Sequence, residues 1–202
     1  MNTIDCLRSG MLLFVALACS SLESKKVVNM STKKIALVIA HHGFQPVEFN
    51  DTREVLEKNG YPVITVSDKM GKTVDADGQP GPEVTVAVDQ LNLAEYAGVF
   101  LIGGSGSMKC LDNEKVYTLM RSVRDAGLLW GAICVAPRIL YNAGLINGAR
   151  ITGWDGDGKL KASCPAAQII DTRVVVDGTL ITAQGPAAAR EFGQAIVDTL
   201  AV

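Results

Sequence analysis

The chain has 202 residues, 48% hydrophobic and 20% charged, which supplies enough apolar side chains for one closed globular core. Lys and Arg total 19 against 21 Asp and Glu, so no basic surplus exists to neutralise a phosphate backbone, and nucleic acid is excluded as an expected partner. Five cysteines, at 6, 19, 110, 134 and 164, form neither a paired disulfide framework nor a Cys-x-x-Cys zinc knuckle, and a reducing compartment is the simpler reading.

Residues 1–30 stand apart from the rest of the chain. Met11-Leu12-Leu13-Phe14-Val15-Ala16-Leu17-Ala18 is an apolar run of signal-peptide length, far short of the roughly 20 residues that span a bilayer. Two readings stay open. Translation starting at Met30 makes a cytoplasmic protein; a lipoprotein segment acylated at Cys19 makes a membrane-anchored one, and only that reading brings a membrane in. Against the second, Asp5 offsets Arg8, and Ala16 stands where a larger aliphatic residue is usual. On either reading residues 31–202 form the α/β domain.

Ile35-Ala36-Leu37-Val38-Ile39-Ala40 is a continuous apolar run, the pattern of a strand buried on both faces of a parallel sheet. Pro46 to Asn59 has helical spacing of Val47, Val55 and Leu56, closed by Asn59-Gly60, and Tyr61 to Val66 is a second strand, completing a right-handed βαβ unit. Between residues 67 and 92, glycines and prolines surround an alternating Glu83–Val88 segment, which predicts a hairpin that leaves the main sheet. Gly98–Ile102 is another buried strand running into Gly103-Gly104, and a helix from Asn113 to Ala126 leads to the strand Leu128–Ile133. Beyond Cys134 come a helix through Leu140, a short strand at Arg150–Thr152, a hairpin pairing Val174–Val176 with Leu180–Thr182, and a last helix after Pro186. The alternation predicts a three-layer α/β sandwich with a mostly parallel central sheet.

Cys134 stands where an apolar strand stops and a helix is expected to start. A side chain at such a turn points off the carboxyl edge of the sheet, and free helix N–H groups there favour a negative sulfur, so a lowered thiol pKa is expected; a buried structural cysteine is the competing reading. Gly103 and Gly104 follow the neighbouring strand and let backbone N–H groups approach an oxyanion, or else form only a tight turn. Glu48, in the first turn of the first helix, can reach the same sheet edge. It either complements the helix dipole or, kept protonated by burial, hydrogen-bonds the thiolate and shuttles protons. His41 and His42 follow the first strand at the ligand-binding end of the sheet. Adjacent side chains in an extended segment point in opposite directions, so they do not form a metal pair, and His42 is expected only to line the pocket. No metal or cofactor is expected. Cys110 and Cys164 have no pattern around them and are read as structural.

These residues resemble the ThiJ/PfpI superfamily, which includes intracellular cysteine peptidase-like proteins and the parkinsonism-associated protein deglycase. The likeness covers about residues 33 to 201 and rests on Ala132-Ile133-Cys134, Gly43-Phe44-Gln45-Pro46-Val47-Glu48, Leu101-Ile102-Gly103-Gly104 and Leu180-Ile181-Thr182-Ala183-Gln184-Gly185-Pro186. It implies a flavodoxin-like sandwich, a homodimer, Cys134 as nucleophile or redox thiol, Glu48 as its carboxyl partner and Gly104 as a backbone donor. The chain departs from the pattern in two places. Val135 stands where peptidase-like members carry a histidine, which removes a Cys-His base pair and argues against proteolysis. Trp154 or Asp155 occupies the place from which deglycase-like members often supply a histidine, and of the two only Asp155 can take a proton. The expectation is a cofactor-independent glyoxalase-like or deglycase-like enzyme acting on a small reactive carbonyl, with a redox sensor or chaperone-like dimer as the alternative and a peptidase or amidohydrolase behind both.

Overall fold

The first strand, β1 (Lys34–Ile39), is buried from Ile35 onward, as its two-sided apolar run requires. In the computed structural model, which describes residues 33–202, it lies inside a seven-stranded sheet. The Met30 start and the Cys19 acylation site lie outside the described residues. A short strand, β2 (His42–Phe44), leads into α1 (Pro46–Lys58), where Pro46 opens the helix and the Gln45 side chain accepts from the Val47 N–H at 3.0 Å. The chain then forms β3 (Val63–Ser67), parallel to β1, with Ile39 opposite Ser67.

The excursion between residues 67 and 92 is present, with its strands placed earlier than the alternation at Glu83–Val88 suggests. β4 (Gly71–Asp75) and β5 (Pro80–Val84) form the antiparallel hairpin and join β2 in a separate three-stranded sheet. Val86 and Ala87 turn back as β6 (Val86–Ala87), the edge of the main sheet beside β3. The alternation therefore spans two sheets, which periodicity within one segment does not separate.

β7 (Tyr96–Leu101) is buried along its whole length and parallel to β1. After α2 (Ser107–Cys110), α3 (Glu114–Asp125) begins at Asn113, whose side chain accepts from the N–H groups of Lys115 and Val116. β8 (Leu129–Ile133) comes next, parallel to β7, and then α4 (Pro137–Asn142). The remaining elements are β9 (Arg150–Ile151), α5 (Leu160–Ser163), β10 (Gln168–Ile169), the hairpin of β11 (Val174–Asp177) with β12 (Leu180–Ala183), and α6 (Ala189–Leu200). β10 pairs with β9 in a two-stranded ribbon apart from the main sheet.

The main sheet runs β11-β12-β8-β7-β1-β3-β6, and every pairing in it is parallel except β11 with β12. Its five principal parallel strands have the flavodoxin-like order, in which the direction of winding reverses between β1 and β7. Helices α1 and α6 pack together on one face, while α3 and α4 cover the other. Phe100 from β7 and Phe192 from α6 meet edge to face at 5.6 Å under the first pair, both fully buried. No helix among the described residues is long and apolar enough to cross a membrane.

Candidate active site

The reversal between β1 and β7 opens a crevice at the carboxyl ends of the strands, and three chain segments meet there. The first is the start of α1. Glu48 is fully buried, and its Oε2 accepts from the Gly103 N–H at 2.9 Å. Its Oε1 has no hydrogen-bond partner among the described residues, and the side chain in contact with the carboxyl is the Cys134 thiol. Burial raises the Glu48 pKa from 4.5 to about 7, partly offset by the contacts with Cys134 and Gly103.

The second segment is the end of β8. Cys134 has a φ of +65°, the only positive value at a non-glycine position among the described residues. Such a conformation costs roughly 1–2 kcal/mol, so the surroundings must hold it. Here they do so through the backbone: the Cys134 N–H donates to the Ala183 carbonyl at 2.9 Å, and its own carbonyl accepts from the Trp154 N–H at 2.7 Å. The sharp turn puts the sulfur between the Glu48 carboxyl and the loop after β7.

That loop is the third segment. A Cβ on Gly103 would stand 2.5 Å from the Cys134 Cβ and 2.7 Å from Glu48 Oε2, so only glycine lets the cysteine and glutamate pack this closely. Gly104 has a φ of +123°, and a Cβ there would lie 2.3 Å from the Gly43 carbonyl oxygen. The N–H groups of Gly104 and Val135 both donate towards the sulfur.

The electrostatics correct one expectation. The thiol pKa is pushed up, first by burial and then by the charge and hydrogen bond of Glu48, while the Val135 and Gly104 N–H groups pull it partly back. The anticipated helix N-terminus does not set it, because α4 begins only at Pro137 after a turn through Val135 and Ala136. Carboxyl and thiol are thus a coupled pair. Below about pH 7 it carries two protons; above that Glu48 is ionised and the remaining proton lies on Cys134.

The sulfur lies at the base of a cavity of about 430 Å³ lined by Gln45, Ala76, Gly104, Ser105, Val135, Trp154 and Pro186 together with Cys134. The structure therefore brings Cys134, Glu48, Gly103, Gly104, Val135 and Trp154 to one place. It does not bring Asp155, which is exposed and whose Oδ1 accepts from the Leu160 N–H at 2.7 Å, serving the loop's own turn. Nor does it bring His42, which is exposed and lies with His41 in a neighbouring cleft. Gln45, Ala76 and Ser105 carry no chemical signature in sequence and enter the wall only through the fold. Arg138 is also new: it makes a two-pronged ion pair with Asp157 at 2.7 and 2.9 Å, donates to the Trp154 carbonyl at 3.2 Å and stacks at 5.8 Å from the Trp154 ring. Its position one helical turn after Cys134 was the available signal.

Comparisons with known proteins find relatives over most of the chain. An uncharacterized protein of Methanocaldococcus jannaschii is 31% identical over 193 residues, covering 94% of this chain and 93% of its own. Protein dj-1beta of Drosophila melanogaster is 33% identical over 171 residues, 83% of this chain and 90% of its own. Protein/nucleic acid deglycase 2 of Escherichia coli is 29% identical, covering 77% of this chain and 90% of its own. Among solved structures, Drosophila melanogaster DJ-1beta superposes with a TM-score of 0.75 at 29% identity, over 84% of this chain and 91% of that one. A ThiJ/PfpI domain protein from Brachyspira murdochii shares the fold with a TM-score of 0.78 at 23% identity, over 84% of this chain and 98% of that one. The DJ-1/PfpI family profile spans residues 33–199, and the chain that places Cys134, Glu48 and Gly104 at the reversal of a flavodoxin-like sheet belongs to that family.

Proposed function

We propose that the protein is a cofactor-independent glyoxalase-like or deglycase-like enzyme that acts on small 2-oxoaldehydes or their adducts through Cys134. The observation that carries this reading is the coupled pair itself: a strained, backbone-clamped thiol beside a buried carboxyl, at the base of a cavity of about 430 Å³. Relatives named as deglycases at 28–29% identity support it. The reactive arrangement is the minor form of the one-proton state, in which the Cys134 proton has moved to Glu48 and the Gly104 and Val135 N–H groups stabilise the negative sulfur. The thiolate adds to the aldehyde carbon, and Glu48 gives its proton to the carbonyl oxygen, forming a hemithioacetal. Glu48, now ionised, takes the proton from the carbon bearing sulfur and returns it to the adjacent carbon. Water then releases the hydroxy acid from the resulting thioester and restores the thiol. Methylglyoxal plus water thus becomes lactate, with no redox partner needed.

The test is lactate formation from methylglyoxal by the purified full chain and by Cys134→Ala. Turnover by the parent chain and none above the uncatalysed rate in the variant supports the reading; equal rates refute it. The same pair favours a second reading, because Glu48 Oε1 has no protein partner among the described residues and a protonated carboxyl there can donate to an oxidised sulfur. In that case the protein is a redox sensor or chaperone-like dimer, and mild peroxide converts Cys134 to the sulfinic acid before Cys110 or Cys164 reacts. A homodimer accompanies both readings, with sedimentation of the full chain as its check. A peptidase is disfavoured: Val135 follows the cysteine, and both histidines lie outside the cavity.

A further inference from the structure

The cleft that takes His41 and His42 is separate from the Cys134 cavity, has a volume of about 370 Å³, and shares only Ser105 with it. It sits past the carboxyl ends of β1 and β3, where the chain just after the Ile39–Ser67 pair brings His41 and Asp68 into hydrogen-bond contact. The end of α2 closes it with Cys110. One ligand-capable atom from each of His41, Asp68 and Cys110 lies within 4.8 Å of the other two.

Asp68 is already oriented for coordination. Its Oδ1 accepts from the His41 backbone N–H at 3.0 Å and the Ser67 hydroxyl at 3.1 Å, which leaves Oδ2 facing His41 Nδ1 at 2.6 Å. Outer hydrogen bonds of this kind fix a ligating carboxylate in known metal centres. Among the described residues the Cys110 thiol makes one long hydrogen bond, 3.8 Å to the His42 carbonyl, so little is lost when it turns to a new partner. Adjacent histidines diverge, but that does not bar a metal here, because His41 finds its partners just past β3 and at the end of α2.

We infer that His41, Asp68 and Cys110 form a binding site for a divalent transition metal of borderline softness, with zinc(II) as the probe. A neutral imidazole, a carboxylate and a thiolate bring two negative charges to a dication, and this mixed N, O and S set suits zinc better than magnesium or calcium. Bond lengths of about 2.0–2.3 Å place tetrahedral ligand atoms roughly 3.3–3.7 Å apart, so the histidine–aspartate contact of 2.6 Å must open by about 0.7 Å and the Cys110 sulfur must come within about 3.7 Å of both. Binding releases the Cys110 thiol proton to solvent, and whichever imidazole nitrogen does not ligate keeps its proton. Three protein ligands leave a fourth position for water or a small anion, and Lys109 on the same wall favours the anion.

The experiment is titration of the metal-free full chain with cobalt(II) as a spectroscopic stand-in, followed by zinc(II) competition. The expected result is one ion per chain, a near-ultraviolet thiolate-to-cobalt band, and visible bands of four-coordinate intensity that zinc displaces. Cys110→Ser and His41→Ala should each weaken zinc binding by more than about 100-fold, beyond the cost of losing an outer-shell partner. Cys134→Ala should leave the titration unchanged. Should either ligand variant fail to fold, zinc protection of Cys110 from iodoacetamide in the parent chain, read by peptide mapping, serves in its place. Absence of the thiolate band or of that protection, or loss of binding in Cys134→Ala, overturns the proposal and leaves a histidine–aspartate pair without a metal role.

Discussion

Replacing Glu48 by Gln tests the coupled pair through stability alone, independently of any substrate. In the folded chain burial holds the Glu48 carboxyl protonated up to about pH 7, whereas in the unfolded chain it titrates near 4.5. The folded state therefore keeps a proton that the unfolded state has lost. The contribution is fully present below about pH 4.5 and disappears as pH rises towards 7. At 1.36 kcal/mol per pKa unit, the interval from 4.5 to about 7 amounts to roughly 3 kcal/mol. An amide stays neutral throughout, so Glu48→Gln removes this loss. Urea unfolding at pH 5, 6, 7 and 8 should show the variant gaining about 2.5 kcal/mol relative to the parent chain between the ends of the series, because part of the loss already precedes pH 5. Other titrating groups cancel in the comparison, and the Cys134 thiol, itself pushed up, stays protonated over this interval. Parallel pH profiles would refute the reasoning, because they would mean that Glu48 ionises as freely in the fold as in the unfolded chain.

The remaining predictions address the site and its support. On the proposed mechanism, Glu48→Gln lowers kcat for methylglyoxal by about 10²–10⁴-fold, and activity of the parent chain rises as pH passes through about 7, both read from initial rates. Arg138→Met frees Asp157 and the Trp154 carbonyl, so the tryptophan wall loosens; KM should rise several-fold with little change in kcat, and Trp154 fluorescence quenching by iodide should increase. Gly104→Ala forces a Cβ into the Gly43 carbonyl and should destabilise the fold in urea while depressing Cys134 reactivity. Phe192→Ala empties the space beside Phe100 and should cost about 3–5 kcal/mol in urea unfolding, leaving thiol reactivity in the surviving native fraction unchanged.

The main sheet was legible because its strands are buried on both faces and so appear as uninterrupted apolar runs, as at Ile35–Ala40. The elements that were not legible are short or edge pieces: β2 has three residues, and β6 and β10 have two each. Too few side chains define a period in such segments. At the site, Cys134 and Glu48 stood out because a thiol at a strand end and a carboxyl in a first helical turn are unusual placements. Their electrostatics were harder to read, since the direction of the thiol shift depends on how deeply the turn is packed, and the turn through Val135 and Ala136 separates Cys134 from α4. Asp155 was chosen by its place in the family pattern and His42 because it follows the first strand; in the fold Asp155 braces its own loop through the Leu160 N–H, and His42 lines the neighbouring cleft. The grouping of His41, Asp68 and Cys110 had no local signature at all, because its spacing exists only across strand ends.

The separate three-stranded sheet divides labour along the chain. Its hairpin contributes Ala76 to the cavity wall, held by the Ala76 N–H on the Phe44 carbonyl at 2.8 Å. It also braces its own tip: Asp75 Oδ1 accepts from the N–H groups of Asp77 and Gln79 at 2.9 and 2.8 Å. Cys134 and Glu48 hang instead from β8 and α1, which touch none of those bonds. The tip residues between Asp75 and Pro80 can therefore be recoded without disturbing the thiol and its carboxyl, so on the proposed function the molecules admitted to the cavity can change through residues that play no part in the chemistry.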